Sequence, residues 1–247
     1  MTQSENQPFA QTAIFDIPVS RMNMQETIDY LTARIDAHEP TQVITANPIM
    51  VMSAIEDENY KTMMQQADLI VPDGAGLVWA AKKLKQPVQE RVAGIDLMMQ
   101  LLALAEQNQW PVYFLGASSE VIDAAINQLM KRFPALSIAG YRDGYFSAEE
   151  DQQVIEDIRQ ANPKLLFVGR AASQQEPWIQ KFKYDLNVPV MMGVGGSYDV
   201  LSGRLKRAPK IWQSMKLEWL YRLMQEPWRF RRMLAIPKFM WLVMKKR

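Results

Sequence analysis

Few residues of this chain are equipped for chemistry, and Asp73 stands out among them. In Ile70-Val71-Pro72-Asp73-Gly74-Ala75-Gly76 an apolar, β-branched run ends in Pro-Asp-Gly, which cannot continue a ladder. A helical pattern from Leu77 to Leu84 follows at once. This spacing predicts a lone carboxylate at the carboxyl end of a buried strand, on the edge where open α/β sheets build their sites. Such a carboxylate can accept the proton of an attacking hydroxyl. It can equally cap the helix that follows. The local sequence leaves both roles open.

Other strand ends carry groups of matching use. Val43-Ile44-Thr45-Ala46-Asn47 ends in a hydroxyl, Thr45, and an amide, Asn47, groups that can hydrogen-bond a ligand. Gly193-Val194-Gly195-Gly196 follows the last apolar run and Gly116-Ala117-Ser118 an earlier one. Glycines there let backbone N–H groups approach a phosphate, although a plain tight turn uses the same residues. Arg91, Arg207 and Arg222 are cations suited to phosphate oxygens.

Several chemistries are excluded or disfavoured. With no Cys there is no thiol nucleophile, disulfide or Cys-bound zinc. The single histidine, in Asp36-Ala37-His38-Glu39-Pro40, reads as a solvated surface residue. Neither a complete Gly-x-Gly-x-x-Gly nor a Walker A lysine motif occurs. Asp-x-Asp, a common metal-holding pattern for nucleotide sugars, is also missing, and Glu56-Asp57-Glu58 reads as a solvated run. Neither a metal nor a cofactor is therefore expected. A leaving diphosphate would be met by Arg, Lys or backbone amides.

The elements that must position these groups alternate. Strand patterns at Gln42–Ala46, Leu69–Val71, Val112–Leu115, Ser137–Gly140, Leu165–Val168 and Val188–Met192 are separated by helical stripes such as Met24–Ala37, Asp96–Gln107 and Val121–Arg132. Thr12–Pro18 reads as a first strand or edge ribbon, Asn47-Pro48 as a helix start, and Ser147 to Glu150 as a capping box. The expectation is an α/β fold: a Rossmann-like, mostly parallel sheet of about six strands covered by helices. The 17 methionines lie mostly at apolar helical positions and read as core filling. The polar segment Met1–Ala10 lacks a secretory pattern, and no long uncharged apolar run suggests a spanning helix.

The net charge of +1 conceals an asymmetry. Gly203–Arg247 carries 13 Lys and Arg against two acids, whereas residues 1–202 carry 15 against 25. The chain is thus expected to divide into an α/β catalytic domain, 1–202, and a basic amphipathic appendage, 203–247. Trp228, Arg229, Arg232 and Trp241 fall in an interleaved Trp/Phe and Arg/Lys pattern suited to lying flat on an anionic membrane. Bulky apolar residues outnumber Ser, Gly and Asn there, which favours a membrane or partner helix over nucleic acid.

Together, Thr45-Ala46-Asn47-Pro48, Ala67 to Gly74, Arg91-Val92-Ala93-Gly94-Ile95-Asp96, Gly140 to Phe146, Gly193 to Gly203, Arg207 to Lys210 and Leu217 to Arg222 resemble the WecG/TagA/CpsF glycosyltransferase family, most closely its TagA branch. The resemblance covers nearly the whole chain from about Ala13. It implies a metal-independent, inverting transfer of N-acetylmannosamine from UDP-N-acetylmannosamine (UDP-ManNAc) to N-acetylglucosamine (GlcNAc) on undecaprenyl diphosphate, making a β-1,4 link in wall teichoic acid linkage-unit synthesis. It also implies work at the cytoplasmic face of the membrane. It places the base on Asp73, site residues on Thr45, Asn47 and Gln175, and the acidic residue of the nucleotide-side loop on Asp199. In one loop the family usually has Gly-x-Pro-Lys/Arg-Gln-Glu, where this chain has Ala171-Ala172-Ser173-Gln174-Gln175-Glu176; Arg170 is the nearest replacement for the absent cation. A related transferase using UDP-N-acetylmannosaminuronic acid (UDP-ManNAcA) or another nucleotide sugar, and a UDP-sugar-binding protein without catalysis, are the alternatives. A homo-oligomer is left open.

Overall fold

The computed structural model describes residues 8–215 and 217–246. The chain opens with an antiparallel hairpin, β1 (Gln11–Ile14) and β2 (Ile17–Ser20), turning through Phe15 and Asp16, both at positive φ. The expected edge ribbon is thus two strands. Positive φ at both central residues is the backbone of a tight two-residue hairpin turn. After α1 (Met24–Asp36) come β3 (Thr41–Ala46), α2 (Pro48–Glu56), α3 (Glu58–Gln65), β4 (Leu69–Pro72), α4 (Ala75–Lys83) and α5 (Gly94–Asn108). Then follow β5 (Val112–Gly116), α6 (Ser119–Arg132), β6 (Ile138–Arg142), α7 (Asp151–Ala161), β7 (Leu165–Gly169), α8 (Ala172–Leu186) and β8 (Val190–Gly193). The Ser147–Glu150 capping box forms, opening a 3-10 turn that leads into α7.

Strands β3 to β8 form one fully parallel sheet in the order β4-β3-β8-β7-β5-β6. Side chains alternate across it, and both faces are buried. Val43, Leu69, Val71, Phe114 and Phe167 enter the core beneath α1, α5 and α6. Ile44 and Ile70 enter the core beneath α2, α3 and α4, while Leu115, Leu166 and Val168 face α7 and α8. Burial of both faces explains why the strands read as continuous apolar runs. The expected parallel, helix-covered α/β fold is what the chain adopts.

The C-terminal segment adds α9 (Ser197–Leu201), α10 (Lys210–Ser214), α11 (Glu218–Gln225), α12 (Phe230–Met233) and α13 (Ala235–Lys245). Ile211, Trp212, Trp219, Leu220 and Leu223, apolar residues at helical spacing in the sequence, fall on two helices, α10 and α11. None of α10, α11 or α12 buries a residue. By contrast α13 returns to pack on α2 and α4, burying Phe239 and Val243 in their core; Phe239 meets Phe15 edge-on at 6.0 Å. Among the described residues no helix is long and apolar enough to cross a membrane.

Candidate active site

A cleft of about 610 Å³ opens at the carboxyl ends of β3, β4, β7 and β8. Its size is within the usual range for a small-molecule site. The floor is made of the turns after those strands, and the segment before α10 together with α11 and α12 contributes the roof. Among the described residues, seven basic side chains line it (Arg91, Arg170, Lys206, Arg207, Arg222, Arg229 and Arg232) against two acidic ones, Asp73 and Glu218. Such a charge ratio selects an anion.

Asp73 sits one residue beyond β4, where its backbone N–H donates to the Ala46 carbonyl at 2.9 Å and so extends the β3 pairing. It does not cap α4: the N-cap there is Gly74, without a side-chain bond. Its carboxylate turns instead toward Arg91, and the backbone N–H of Gly94 at the start of α5 favours its ionised form. Arg91 arrives because the Val92 N–H donates to the Pro72 carbonyl at 3.0 Å. Arg91 Nη2 lies 3.3 Å from Asp73 Oδ1, and Nε donates to the Asp73 carbonyl. Gly94 lets this close approach happen, since a Cβ there would stand 3.0–3.1 Å from the Thr45 side chain and push it by a few tenths of an ångström.

Burial raises the Asp73 carboxyl above its ordinary value, Arg91 and the Gly94 N–H oppose this, and Glu218 adds to it. The side chain is nevertheless 29% exposed, through the cleft. A carboxylate that is partly desolvated and open on one side is a stronger proton acceptor than a free one. Thr45 and Asn47 line the same cleft from β3. The Thr45 hydroxyl lies 3.4 Å from the Gly193 carbonyl. Asn47 Oδ1 caps α2 by accepting from the Ile49 and Met50 N–H groups at 3.0 and 3.2 Å, so its NH₂ is the group left for a ligand.

Other expected residues are placed differently. Gln175 lines the cleft as expected, but it is buried and its amide is spent on protein groups. Oε1 accepts from the Arg170 and Gly195 N–H groups at 3.2 and 3.1 Å, while Nε2 donates to Glu176 at 2.9 Å. It braces the β7 and β8 turns together, and the Gly195 N–H is thereby taken. Gly193 lies outside the cleft lining, beneath Gln175 and Glu176, where a Cβ would collide with both side chains. Gly195 and Gly196 line the cleft, and the Arg222 guanidinium presses on Gly196 where a Cβ would be. Asp199 is outside the cleft lining, and the Leu205 N–H donates to its carbonyl at 2.9 Å. The Gly116–Ser118 turn also stays outside; Ser118 lines a separate groove with Ser202 and Arg204.

The tail corrects one reading. Arg229 and Arg232, expected on the membrane face, line the cleft with Arg222, whereas Trp228 and Trp241 are 74% and 55% exposed. Periodicity defines the faces of a helix but not what each face meets. Glu226 holds Arg222 at 3.0 Å and Arg229 at 3.3 Å. Burial lowers the Arg229 pKa, and its neighbours Arg222 and Arg232 lower it further. Arginines packed so closely that they repel one another make a seat for a polyanion. Arg207 is engaged with Asp96 of α5 through two bonds of 2.7 Å. Arg170 lies over the Phe146 ring, 4.3 Å from its centroid, and also lines the cleft. Glu218 is the residue that sequence reasoning missed: from α11 it forms an ion pair with Arg91.

Residues 12–247 match the model of the "Glycosyl transferase WecG/TagA/CpsF family". The chain belongs to that family. It is a glycosyltransferase. A Bacillus spizizenii protein is 39% identical over 214 residues, covering 87% of this chain and 82% of that protein. A Bacillus subtilis protein is 36% identical over 234 residues, covering 94% and 91%. A Staphylococcus aureus protein is 36% identical over 248 residues, covering 99% and 96%. All three are named N-acetylglucosaminyldiphosphoundecaprenol N-acetyl-beta-D-mannosaminyltransferase. The resemblance stated from the motifs therefore extends over nearly the whole chain.

Proposed function

We propose that this glycosyltransferase moves N-acetylmannosamine from UDP-ManNAc to GlcNAc-diphosphoundecaprenol with inversion, forming the β-1,4 disaccharide of a teichoic acid linkage unit. The observation that carries the reading is the Asp73 carboxylate opening onto a cleft with seven basic and two acidic side chains. The acceptor hydroxyl attacks the anomeric carbon as UDP leaves from the opposite face, and Asp73 takes the hydroxyl proton. Thr45 and the Asn47 NH₂ orient the sugar. Arg222, Arg229 and Arg232 meet diphosphate charge, which develops on the leaving UDP and is permanent on the acceptor.

Ile49 and Met50 of α2, Trp79 of α4, Met233, and Ile236 and Met240 of α13 give the cleft an apolar side for the first isoprenoid units. Trp228 and Trp241, exposed beside basic residues, rest on the anionic inner face of the cell membrane and place the tail there. Residues 1–202 act as the catalytic domain and 203–247 as its appendage.

The test is UDP release by the full chain with GlcNAc-diphosphoundecaprenol, comparing UDP-ManNAc with UDP-ManNAcA and UDP-GlcNAc. Acceptor-dependent release from UDP-ManNAc alone is expected. Release from UDP-ManNAcA instead would reassign the donor. Bound UDP without release from any of them would leave a binding protein.

A further inference from the structure

We infer that Glu218 is a positioning residue for Asp73: when α11 seats over the cleft, its carboxylate engages Arg91 and leaves Asp73 a competent base. Arg91 is the common partner. It reaches Asp73 through Nε and Nη2, the latter 3.3 Å from Oδ1, and reaches Glu218 through Nη1. The three groups come from three places in the chain: the β4 end, the segment before α5, and the C-terminal appendage. Asp73, Arg91 and Glu218 side chains are 29%, 32% and 21% exposed, so the chain of contacts is only partly screened by water.

The physical consequence follows from charge. With Glu218 absent or withdrawn, the Arg91 cation has one carboxylate to pair with, and that carboxylate is the base. Full pairing stabilises the ionised form and makes Asp73 a poorer proton acceptor. Glu218 shares the cation and places a second negative charge nearby, which acts in the opposite direction. The remaining groups facing Asp73 are few. From α5 there is the Gly94 N–H; from β3 the uncharged Thr45 and Asn47 share the cleft; from the segment before α10 there is Arg207, itself engaged with Asp96. Glu218 is therefore the charge by which the appendage addresses the base.

This deepens the transferase reading and rests on it for its meaning. If the appendage carries the arginines that receive the diphosphate, Glu218 makes base strength depend on the same helix being seated. Proton abstraction is then favoured only once the roof is over the substrate.

The experiment reads Asp73 directly. Full-length chain carrying ¹³C-labelled aspartate carboxyls is titrated by NMR, Asp73 being assigned as the resonance lost in Asp73→Asn. Wild type, Glu218→Gln and Glu218→Asp are compared, and near-UV circular dichroism confirms folding. Asp73 is expected to titrate at lower pH in Glu218→Gln, with Glu218→Asp lying between that variant and wild type. The acid limb of kcat should move in the same direction, with kcat falling about tenfold and the KM for the nucleotide sugar unchanged. An Asp73 titration identical in wild type and Glu218→Gln would overturn the inference. If the titration moves but wild type releases no UDP from any donor, the positioning role stands and the transferase reading falls.

Discussion

The floor and the roof of the cleft are built under different rules. The floor is a set of turns after buried parallel strands, where backbone hydrogen bonds such as Asp73 N–H to Ala46 O fix each residue. In the roof, α11 and α12 bury no residue, and ion pairs join it to the body: Glu218–Arg91 from α11, and Arg207–Asp96 from the segment before α10. Ion pairs that are one-fifth to two-fifths exposed contribute little to stability. The difference teaches how the labour is divided: groups needing fixed geometry sit on the floor, and groups that must yield to an incoming lipid diphosphate sit on the roof. Past the roof the rule reverts, because α13 is packed into the core through Phe239 and Val243.

The largest expected effect probes the floor. Asp73→Asn should lower kcat by about 10²–10⁴-fold while UDP affinity, measured by calorimetry, is retained. Near wild-type turnover would remove Asp73 as the base and leave the floor only a binding role.

Next is the claim that α13 belongs with the body. Phe239→Ala should cost about 3–5 kcal/mol in urea unfolding, as for a fully buried phenylalanine. A loss below about 0.5 kcal/mol, typical of surface positions, would place α13 with the roof instead.

The third expected effect concerns a second carboxyl under the floor. Glu176 is wholly buried, with Gln175 and Gln42 amides as its partners, and burial pushes its carboxyl up from 4.5 to about 7. The folded chain therefore holds a proton that the unfolded chain releases. Its contribution to stability is complete below about pH 4.5 and is lost as pH rises to about 7. Relative to Glu176→Gln, the wild type should lose about 3 kcal/mol across that window. Parallel curves for the two proteins would mean that Glu176 is paired in a way that these contacts do not supply.

The smallest effect concerns the outer face of the tail. Trp228→Ala and Trp241→Ala should each weaken binding to phosphatidylglycerol vesicles by about tenfold, from about 1–2 kcal/mol of lost apolar burial. Stability should change by no more than about 0.5 kcal/mol. Unchanged vesicle binding would remove Trp228 and Trp241 as a membrane-facing pair.

The sequence by itself determined the sheet and the place of Asp73. Strands buried on both faces must be apolar throughout, so they are visible as runs, and Pro72-Asp73-Gly74 marks where one stops. Thr45 and Asn47 were legible for the same reason, each lying at the end of such a run. It also determined that the last 45 residues are basic and amphipathic. What it did not determine is which groups those residues meet. Arg229 and Arg232 share one interleaved pattern with Trp228 and Trp241, yet two line the cleft and two face outward, because periodicity defines a face without naming its partner. Gln175 was legible as a cleft residue, but the use of its amide was not: it closes on backbone N–H groups brought near only by the β7–β8 pairing. The meeting of Asp73, Arg91 and Glu218 was settled by tertiary structure alone, since a contact between residues 127 positions apart in Arg91 and Glu218 leaves no local trace in composition or spacing.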